Sequence, residues 1–461
     1  MRPRAASSSP ARSGSGLTRA AARARWPALR LPDRADRLFA PLAGVYPLSL
    51  ILGILLVPPP GMLLRLGLVV AVSPGLLQLG AWTATHRRWA GALGTYLAAI
   101  TMSALTSADA AIAFADLQRQ VFIIAIAIGL SLALIDARAR SAFTLASVAV
   151  AVSVAVVILP LYSRFPGIPL IGPWQEAFKG YADEVDVLLN PLSFVGLLAL
   201  VVAISALKHR PAILVAIFVP VMAAIAASGS RTTLVSLIVA IPLTGMFILI
   251  HRRPVIPAWI PYGVVGVIAA WASLTFADQL GRLAVSPALE DLTTGRSLLW
   301  NAAWEKFLDR PLFGWGAGSF SIDLGQYLPG VGLYRAEDLS VLTTAGGAHN
   351  ALLNVLAERG LLAAVAAGLV ALFLLNLAIR LYRSRDRFRG MDRGLATLAP
   401  FVVILMLVRS LGELPGWFGS ADSLIDFLAY GIAALLVAVA STLDVTAQPS
   451  NKTGSAMTTD S

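Results

Sequence analysis

The chain has no cysteine and only four histidines among 461 residues, and charged residues make up just 13% of it. The absence of cysteine excludes disulfides, thiolate metal sites and a cysteine nucleophile. A soluble domain carries about 25% charged residues. Because 57% of the residues are hydrophobic and so few are charged, we expect an integral membrane protein.

The positive net charge does not indicate nucleic-acid binding. The formal net charge is +11, but nucleic-acid recognition requires a basic face on a soluble domain. Arginine and lysine occur here mainly in short connections between apolar runs, where they set the orientation of a membrane protein. The lipid bilayer is therefore the expected partner, and nucleic acid is not.

The apolar runs predict an all-α integral membrane protein with about 12 transmembrane helices and one large outward-facing loop containing short amphipathic helices. The runs that approach a spanning length are 41–57, 62–81, 89–106, 120–136, 142–161, 190–207, 211–227, 232–250, 257–275, 360–379, 395–411 and 424–442. The membrane domain is predicted over 39–443. The basic segment 1–38 resembles an organellar transit peptide in composition, but a disordered cytoplasmic tail is the plainer interpretation. Segment 444–461 is predicted to be a second disordered cytoplasmic tail.

Alternation of basic and non-basic connections predicts the orientation of these helices. If the N-terminus is cytoplasmic, the inner connections are all basic: 86–88, 136–140, 208–210, 251–253 and 380–393. The outer connections carry the glycine, tryptophan, proline and acidic residues: 58–61, 107–119, 162–189, 228–231, 276–359 and 412–422. Both termini are then cytoplasmic, and the large loop 276–359 faces outward.

Two arginines are notable because they lie on the predicted outer side, against the orientation rule. Arg231 follows Ser-Gly-Ser at the outer end of an apolar helix, where backbone N–H groups at a helix N-terminus favour an anion. An arginine that anchors the helix end by snorkelling is the alternative. Arg409 lies near the outer end of a predicted span with Glu413 one turn later. These two residues form either a pair that makes their burial tolerable or a substrate-facing site.

The outer loop itself contains a predicted helix from Arg296 to Asp309, capped near Thr293 or Thr294 and ended by Pro311. Its apolar face is predicted to comprise Leu299, Trp300, Ala303, Trp304, Phe307 and Leu308, with Asn301, Glu305 and Lys306 elsewhere. We expect this helix to lie on the outer leaflet or to pack on the helix bundle. The following glycines, 314–318, lack the strand of a dinucleotide-binding motif and predict a tight turn.

His349 closes the outer loop. The run 360–379 alone is long enough to span, so the segment from His349 to Arg359 is predicted to be a separate short helix broken at Gly360. His349 then lies at a helix N-terminus, where the dipole favours nearby anions. The other histidines, His86, His209 and His251, are interpreted as solvated residues of basic turns.

These residues together resemble the signature region of the O-antigen ligase and O-antigen polymerase superfamily. The matching residues are Arg296, Trp300, the run Pro311–Gly316, His349, Asn350, Glu358, Arg359 and Gly360, with the Arg231 element upstream. The resemblance covers the C-terminal half. It implies an inverting glycosyltransferase at the periplasmic face of a bacterial inner membrane. Its donor would be a glycan on undecaprenyl diphosphate, and its acceptor lipid A–core or another lipid-linked glycan.

The resemblance also implies residue roles: His349 as the catalytic base, and Arg231 and Arg296 as ligands of the diphosphate. Asn350, Glu358, Arg409 and Glu413 are candidate supporting residues. No Asp-X-Asp motif occurs in the predicted outer loops, and arginine forks can neutralise a diphosphate by bidentate bonds. No metal and no cofactor are therefore expected.

Three other hypotheses remain open beside a ligase. A polymerase of polysaccharide repeats would use the same residues with a different acceptor. A transporter or lipid flippase would place ionisable residues and broken helices near the middle of the membrane, whereas the unusual charges lie at the predicted outer rim. A non-catalytic scaffold would make His349 dispensable.

Overall fold

The computed structural model describes residues 40–49, 61–78, 82–163, 182–207, 209–227, 231–251, 296–328, 347–411 and 424–446. Across these ranges the chain forms helices and turns and no strand, which confirms the all-α prediction. The helices are α1 Gly61–Leu77, α2 Ala84–Leu105, α3 Ala110–Ala133, α4 Ala137–Ser163, α5 Ala182–Leu207, α6 Pro211–Ala227, α7 Arg231–His251, α8 Arg296–Asp309, α9 Leu324–Tyr327, α10 Ala351–Arg383, α11 Gly390–Ser410 and α12 Leu424–Thr446. Short 3₁₀ turns occupy Ala40–Gly44 and Arg385–Arg387.

Five helices of the described chain are long and apolar enough to cross a membrane: Ala110–Ala133, Ala137–Val154, Ala351–Arg383, Gly390–Ser410 and Asp426–Asp444. Four shorter apolar helical segments accompany them: Arg65–Gly75, Ser193–Leu207, Pro211–Ala223 and Thr233–Leu249. These helices support the prediction of a membrane protein. The total of about 12 spans remains a prediction, and the predicted span 257–275 lies outside the described residues.

Helix α12 forms the centre of the bundle. It packs against α2, α3, α5, α10 and α11, and its residues from Asp426 to Ser441 are all buried. A helix that is apolar on every side belongs in the interior of a bundle. Its many alanines let the surrounding helices approach closely, because small side chains keep the interhelical distance short.

One end of the bundle, which we call the basic end, gathers connections that the sequence predicts to be cytoplasmic. Arg140 forms a two-pronged ion pair with Asp392, with Nη2–Oδ2 and Nε–Oδ1 distances of 2.7 and 3.0 Å. Asp444 accepts from Arg380 at 3.1 Å and from the Thr85 hydroxyl at 2.6 Å. The first set of bonds joins α4 to α11, and the second joins α2 and α10 to α12.

The opposite end, the loop end, gathers connections that the sequence predicts to face outward. The Ser103 hydroxyl donates to the Glu358 carbonyl at 3.2 Å. The Ser107 hydroxyl lies 3.0 Å from the Trp315 carbonyl oxygen. The connections named here, within the described part of the chain, thus fall into the two groups that the charge pattern predicts, while the bilayer face that each group meets remains a prediction.

Several helices extend beyond their predicted bounds. Helix α3 begins at Ala110 rather than at 120, because the Asp109 side chain caps it by accepting from the Ile112 N–H at 3.1 Å. The predicted outward connection 107–119 is therefore mostly helix. At the other end of the chain, α12 continues to Thr446, past the predicted boundary at 443, and Asp444 belongs to it.

The prediction that His86 is a solvated turn residue is wrong. His86 lies in the first turn of α2 and is buried. Its Nε2 lies 3.1 Å from the Ser131 carbonyl oxygen and its Nδ1 2.8 Å from the Thr83 hydroxyl. Both ring nitrogens have partners, which makes burial of the imidazole tolerable. His209 is exposed, as predicted.

Candidate functional site: the kink of α10 and the turn docked in it

Helix α10 is broken at Gly360, which has a φ of 73° inside the helix. A break of this kind leaves backbone groups on both sides without helical partners. Residues 311–316, which we call the docked turn, supply those partners. The bonds are Trp315 N–H to the Ala357 carbonyl (3.1 Å), Gly316 N–H to Glu358 (2.7 Å), Leu361 N–H to Pro311 (2.8 Å) and Leu362 N–H to Leu312 (3.4 Å). The kink and the turn therefore complete each other.

Glycine is required on both sides of this contact. Gly314 has a φ of 68°, and a Cβ there would overlap the carbonyl group of Glu358. A Cβ at Gly360 would overlap the carbonyl oxygen of Leu312. Positive φ and close backbone approach are the two situations that select glycine. The predicted tight turn and the predicted break at Gly360 are both confirmed, and they are two sides of one contact.

Arg359 anchors the kink in the helix bundle. Its Nη2 donates to Asp116 Oδ2 of α3 at 2.9 Å, and its Nη1 donates to the Tyr96 hydroxyl of α2 at 2.6 Å. All three side chains are buried. A buried charge requires a charge partner and hydrogen bonds to be tolerated, and Asp116 and Tyr96 provide them. The pair links three helices at the loop end.

Glu358 points to the other side of α10, into the loop. Its Oε1 accepts from the Phe320 N–H at 3.1 Å, and its Oε2 accepts from Asn354 Nδ2 at 3.0 Å. The Asn354 Oδ1 in turn accepts from the Ala348 N–H at 3.1 Å. A continuous buried chain of hydrogen bonds thus leads from Phe320 to the residue before His349.

His349 lies just before the N-terminus of α10. Its backbone φ is 48°, a left-handed conformation that non-glycine residues rarely adopt. Asn350 is the N-cap: its Oδ1 accepts from the Leu353 N–H at 3.0 Å, and its Nδ2 donates to the Leu411 carbonyl at 2.8 Å. The prediction that a short helix begins here with His349 at its N-terminus agrees with the structure to within two residues, since the helix starts at Ala351.

Arg409 lies close to this position, in the last turn of α11. It is buried, and its guanidinium carbon lies 4.4 Å from the centroid of the Phe194 ring of α5. Leu411, which accepts from Asn350, follows it by two residues. Arg409 is thus at the same end of the bundle as His349. Its predicted partner Glu413 lies outside the described residues, so the choice between a structural pair and a substrate-facing pair stays open.

The two candidate diphosphate ligands each open a helix. Arg231 is the first residue of α7, and Arg296 is the first residue of α8. Two residues after Arg231, the Thr233 hydroxyl lies 3.5 Å from the hydroxyl of Ser193. Ser193 directly precedes Phe194, whose ring the Arg409 guanidinium contacts. The start of α7 and the end of α11 therefore meet the same part of α5.

Helix α8 is joined to the His349 segment by a small apolar cluster. Leu299, three residues after Arg296, and Ala348, one residue before His349, belong to this cluster. Its members are Leu299, Ala302, Ala303, Phe320, Leu324, Leu328, Ala348 and Ala357. The backbones near Arg296 and His349 are therefore held by one packed unit.

The predicted bounds of α8 are confirmed, but the predicted position of Lys306, away from the packed side of the helix, is wrong. Trp304 and Leu308 are exposed, whereas Lys306 is buried. The Lys306 ammonium donates to the carbonyl oxygens of Ser319, Phe320 and Ile322 at 3.2, 3.1 and 2.6 Å. Burial lowers the pKa of Lys306 from its usual 10.5 to about 8. The ammonium can face inward because these three carbonyl oxygens accept all three of its protons.

Sequence reasoning did not identify Asp116, Tyr96 or Asn354. Asp116 falls in the predicted connection 107–119, although an acidic residue six positions into a largely apolar run is itself a signal of a buried partner. Asn354 lies four residues before Glu358, a spacing at which two helical side chains meet. That spacing was the available signal. Tyr96 gave no signal, because a tyrosine in an apolar helix is unremarkable.

Residues 212–368 match the family model described as O-antigen ligase. The matched range begins in α6 and ends within α10, so it includes Arg231, Arg296, His349 and the docked turn. Asp116 and Arg409 lie outside it. No curated protein matches the chain.

Proposed function

We propose that this chain, a member of the O-antigen ligase superfamily, transfers a glycan from undecaprenyl diphosphate to an acceptor hydroxyl at the outer face of a bacterial inner membrane. The observation that carries the proposal is the fixed position of His349. Within the family-matched range, this residue is held at the N-terminus of α10, beside the end of α11 and on the same apolar cluster as α8.

In the proposed reaction, His349 takes the proton from the acceptor hydroxyl while that oxygen attacks the anomeric carbon of the donor sugar. The bond from the anomeric carbon to the phosphate oxygen breaks, and the lipid diphosphate leaves with the electron pair. Attack opposite the leaving group inverts the anomeric configuration. A positioned general base contributes about 10²–10⁴-fold in rate.

Arg231 and Arg296 are proposed to bind the diphosphate. Each is the first residue of its helix, where the unpaired N–H groups and the helix dipole favour an anion. A guanidinium adds bidentate, charge-assisted bonds to phosphate oxygens. Two such sites neutralise the charge that develops on the leaving group, so we propose transfer without a metal. Chelator added to purified protein is expected to leave the rate unchanged, and strong inhibition would contradict this part of the proposal.

The acceptor is proposed to be lipid A–core, which makes the protein a ligase. A polymerase, which extends another lipid-linked glycan, is the alternative within the same superfamily. The two are distinguished by the products that accumulate in a deletion strain. Complete glycan remaining on the lipid carrier indicates a ligase, whereas single repeats attached to the core indicate a polymerase.

The test of the site is His349→Ala in a deletion strain complemented with each variant. We expect loss of surface polysaccharide on gels at normal protein level, and a fall of about 10²–10⁴-fold in the transfer rate of purified protein. Arg231→Ala and Arg296→Ala are expected to raise the KM for the donor and also to lower kcat, because the proposed bonds strengthen as charge develops on the leaving diphosphate. The matched control is His209→Ala, since His209 is exposed in a connection predicted to be cytoplasmic. Wild-type polymer with His349→Ala would overturn the assignment of the base.

A further inference from the structure

The backbone beside His349 is held by one buried side chain, Asn354. Its Oδ1 accepts from the Ala348 N–H at 3.1 Å, and its Nδ2 donates to Glu358 Oε2 at 3.0 Å. The relative exposures of Asn354 and Glu358 are only 5% and 4%. Because water is largely excluded from both groups, these bonds determine how the segment before α10 is held.

Only one orientation of the Asn354 amide satisfies this chain of bonds. An ionised carboxylate accepts but does not donate, and Glu358 Oε1 is already bonded to the Phe320 N–H. Oε2 therefore requires the NH₂ group of Asn354. That leaves the amide oxygen for the Ala348 N–H, which itself can only donate. Glu358 thus fixes which end of the amide faces Ala348.

The bond to Ala348 holds the backbone directly before His349, the residue with the unusual conformation. The next residue, His349, has a φ of 48°, and a non-glycine residue in this region persists only when its surroundings hold it there. On the far side of His349, Asn350 caps α10 and donates to the Leu411 carbonyl. The backbone of His349 is consequently fixed from both directions.

We propose that Asn354 is a positioning residue for the base His349, and that Glu358 acts by orienting the Asn354 amide. The inference rests on the proposed function. It goes further in one respect: the transfer rate should depend on which atoms donate and which accept at positions 354 and 358. A carboxylate at position 358 should not be required in itself.

A swap of the two functional groups tests this pattern. In Asn354→Asp, two carboxylates face each other and the amide donor is lost. In Glu358→Gln, the introduced amide has one oxygen for two donors, so either the Phe320 N–H or the Asn354 NH₂ meets an NH₂ group. Rotation of the Asn354 amide would instead turn its NH₂ toward the Ala348 N–H. In the double variant Asn354→Asp with Glu358→Gln, the carboxylate introduced at position 354 accepts from both the Ala348 N–H and the amide at position 358. All the original bonds are then restored with the roles exchanged.

We expect each single variant to lower kcat about 10²-fold, because misplacement of a catalytic group by about 1 Å costs that much. The KM for the donor is expected to change much less than kcat, since the hydrogen bonds of these two side chains go to Ala348 and Phe320, neither of which is a proposed ligand of the diphosphate. The double variant is expected to regain most of the lost kcat, which is the coupling that a double-mutant cycle measures.

The measurement is steady-state transfer by purified full-length protein in detergent. The donor is the lipid-linked glycan extracted from a deletion strain, and the acceptor is membrane from that strain. Thermal unfolding is followed in parallel. Asp392→Asn is the control for lost stability alone, because it breaks the pair with Arg140 at the basic end; its kcat per folded protein is expected to be unchanged.

The outcomes separate this inference from the proposed function. If His349→Ala is inactive while both single variants keep the wild-type kcat, or while the double variant is as slow as the singles, the positioning role is wrong. If a single variant fails to accumulate, the double variant alone decides, and a slow, stable double variant contradicts the proposal. Full activity of His349→Ala instead overturns the proposed function itself.

Discussion

Both ends of the bundle contain an arginine–aspartate ion pair, but the two pairs connect different parts of the chain. At the basic end, Arg140 pairs with Asp392 and also donates to the carbonyls of Leu134 and Ile135, where α3 ends. At the loop end, Arg359 pairs with Asp116, a residue 243 positions away. Side-chain exposures are 5% and 22% for the first pair, and 1% and 7% for the second.

The difference shows how the chain uses charge at each end. At the basic end, arginine satisfies the last carbonyls of a helix and its partner still contacts water, so the pair closes a local connection. At the loop end, both members of the pair are buried, and the pair holds together two segments that lie far apart in the sequence. The loop end should therefore tolerate substitution far less than the basic end, and three pairs of variants test this asymmetry.

The largest effect is expected from alanine at a left-handed glycine of the loop end. Gly360→Ala places a Cβ into the Leu312 carbonyl, which the docked turn cannot move away from without losing its own bonds. We expect the folded protein to be lost. Gly390 at the basic end has a φ of 53° and open space around it, so Gly390→Ala should cost only the conformational strain of about 1–2 kcal/mol. Protein yield and thermal unfolding in detergent measure both.

A smaller effect is expected from neutralising each aspartate. Asp116→Asn leaves the Arg359 charge buried without this ion-pair partner, which costs about 3–5 kcal/mol. Asp392→Asn leaves Arg140 bonded to two carbonyl oxygens beside a partly exposed partner, so the loss should be smaller, about 1 kcal/mol. Thermal unfolding of the two variants under one condition checks this. Equal losses would show that the two pairs are energetically alike and that the comparison fails.

The smallest effect is expected from removing one hydroxyl. Ser107 bridges the α2–α3 connection to the docked turn through the Trp315 carbonyl, and Ser107→Ala should cost about 1 kcal/mol, the net value of a hydrogen bond. Ser141 at the basic end is exposed and bonds within its own helix, to the Ala137 carbonyl. Ser141→Ala should change stability by less than about 0.5 kcal/mol. A larger loss for Ser141 than for Ser107 would reverse the proposed order.

Features that depend on local sequence were predictable. The bounds of α8 follow from its periodicity and from Pro311, and the break at Gly360 follows from the length that a span requires. The grouping of basic connections at one end follows from charge alone. His349 could be placed at a helix start because the helix after it was too long to be a single span.

Features that depend on long-range pairing were not predictable. The sequence contains no sign that Asp116 meets Arg359, since the two residues lie in different helices and far apart in the chain. The inward position of Lys306 was missed for a related reason. Its three carbonyl acceptors lie 13, 14 and 16 residues later in an irregular segment, and helical periodicity carries no information about carbonyl groups outside the helix.

The central position of α12 also constrains how the protein is assembled. This helix is synthesised after α2, α3, α5, α10 and α11, yet all five pack against it. Until α12 is in place, the faces that those helices turn toward it must be covered by lipid or by temporary contacts with one another. When α12 displaces these contacts, it fixes the packing of the five helices around it.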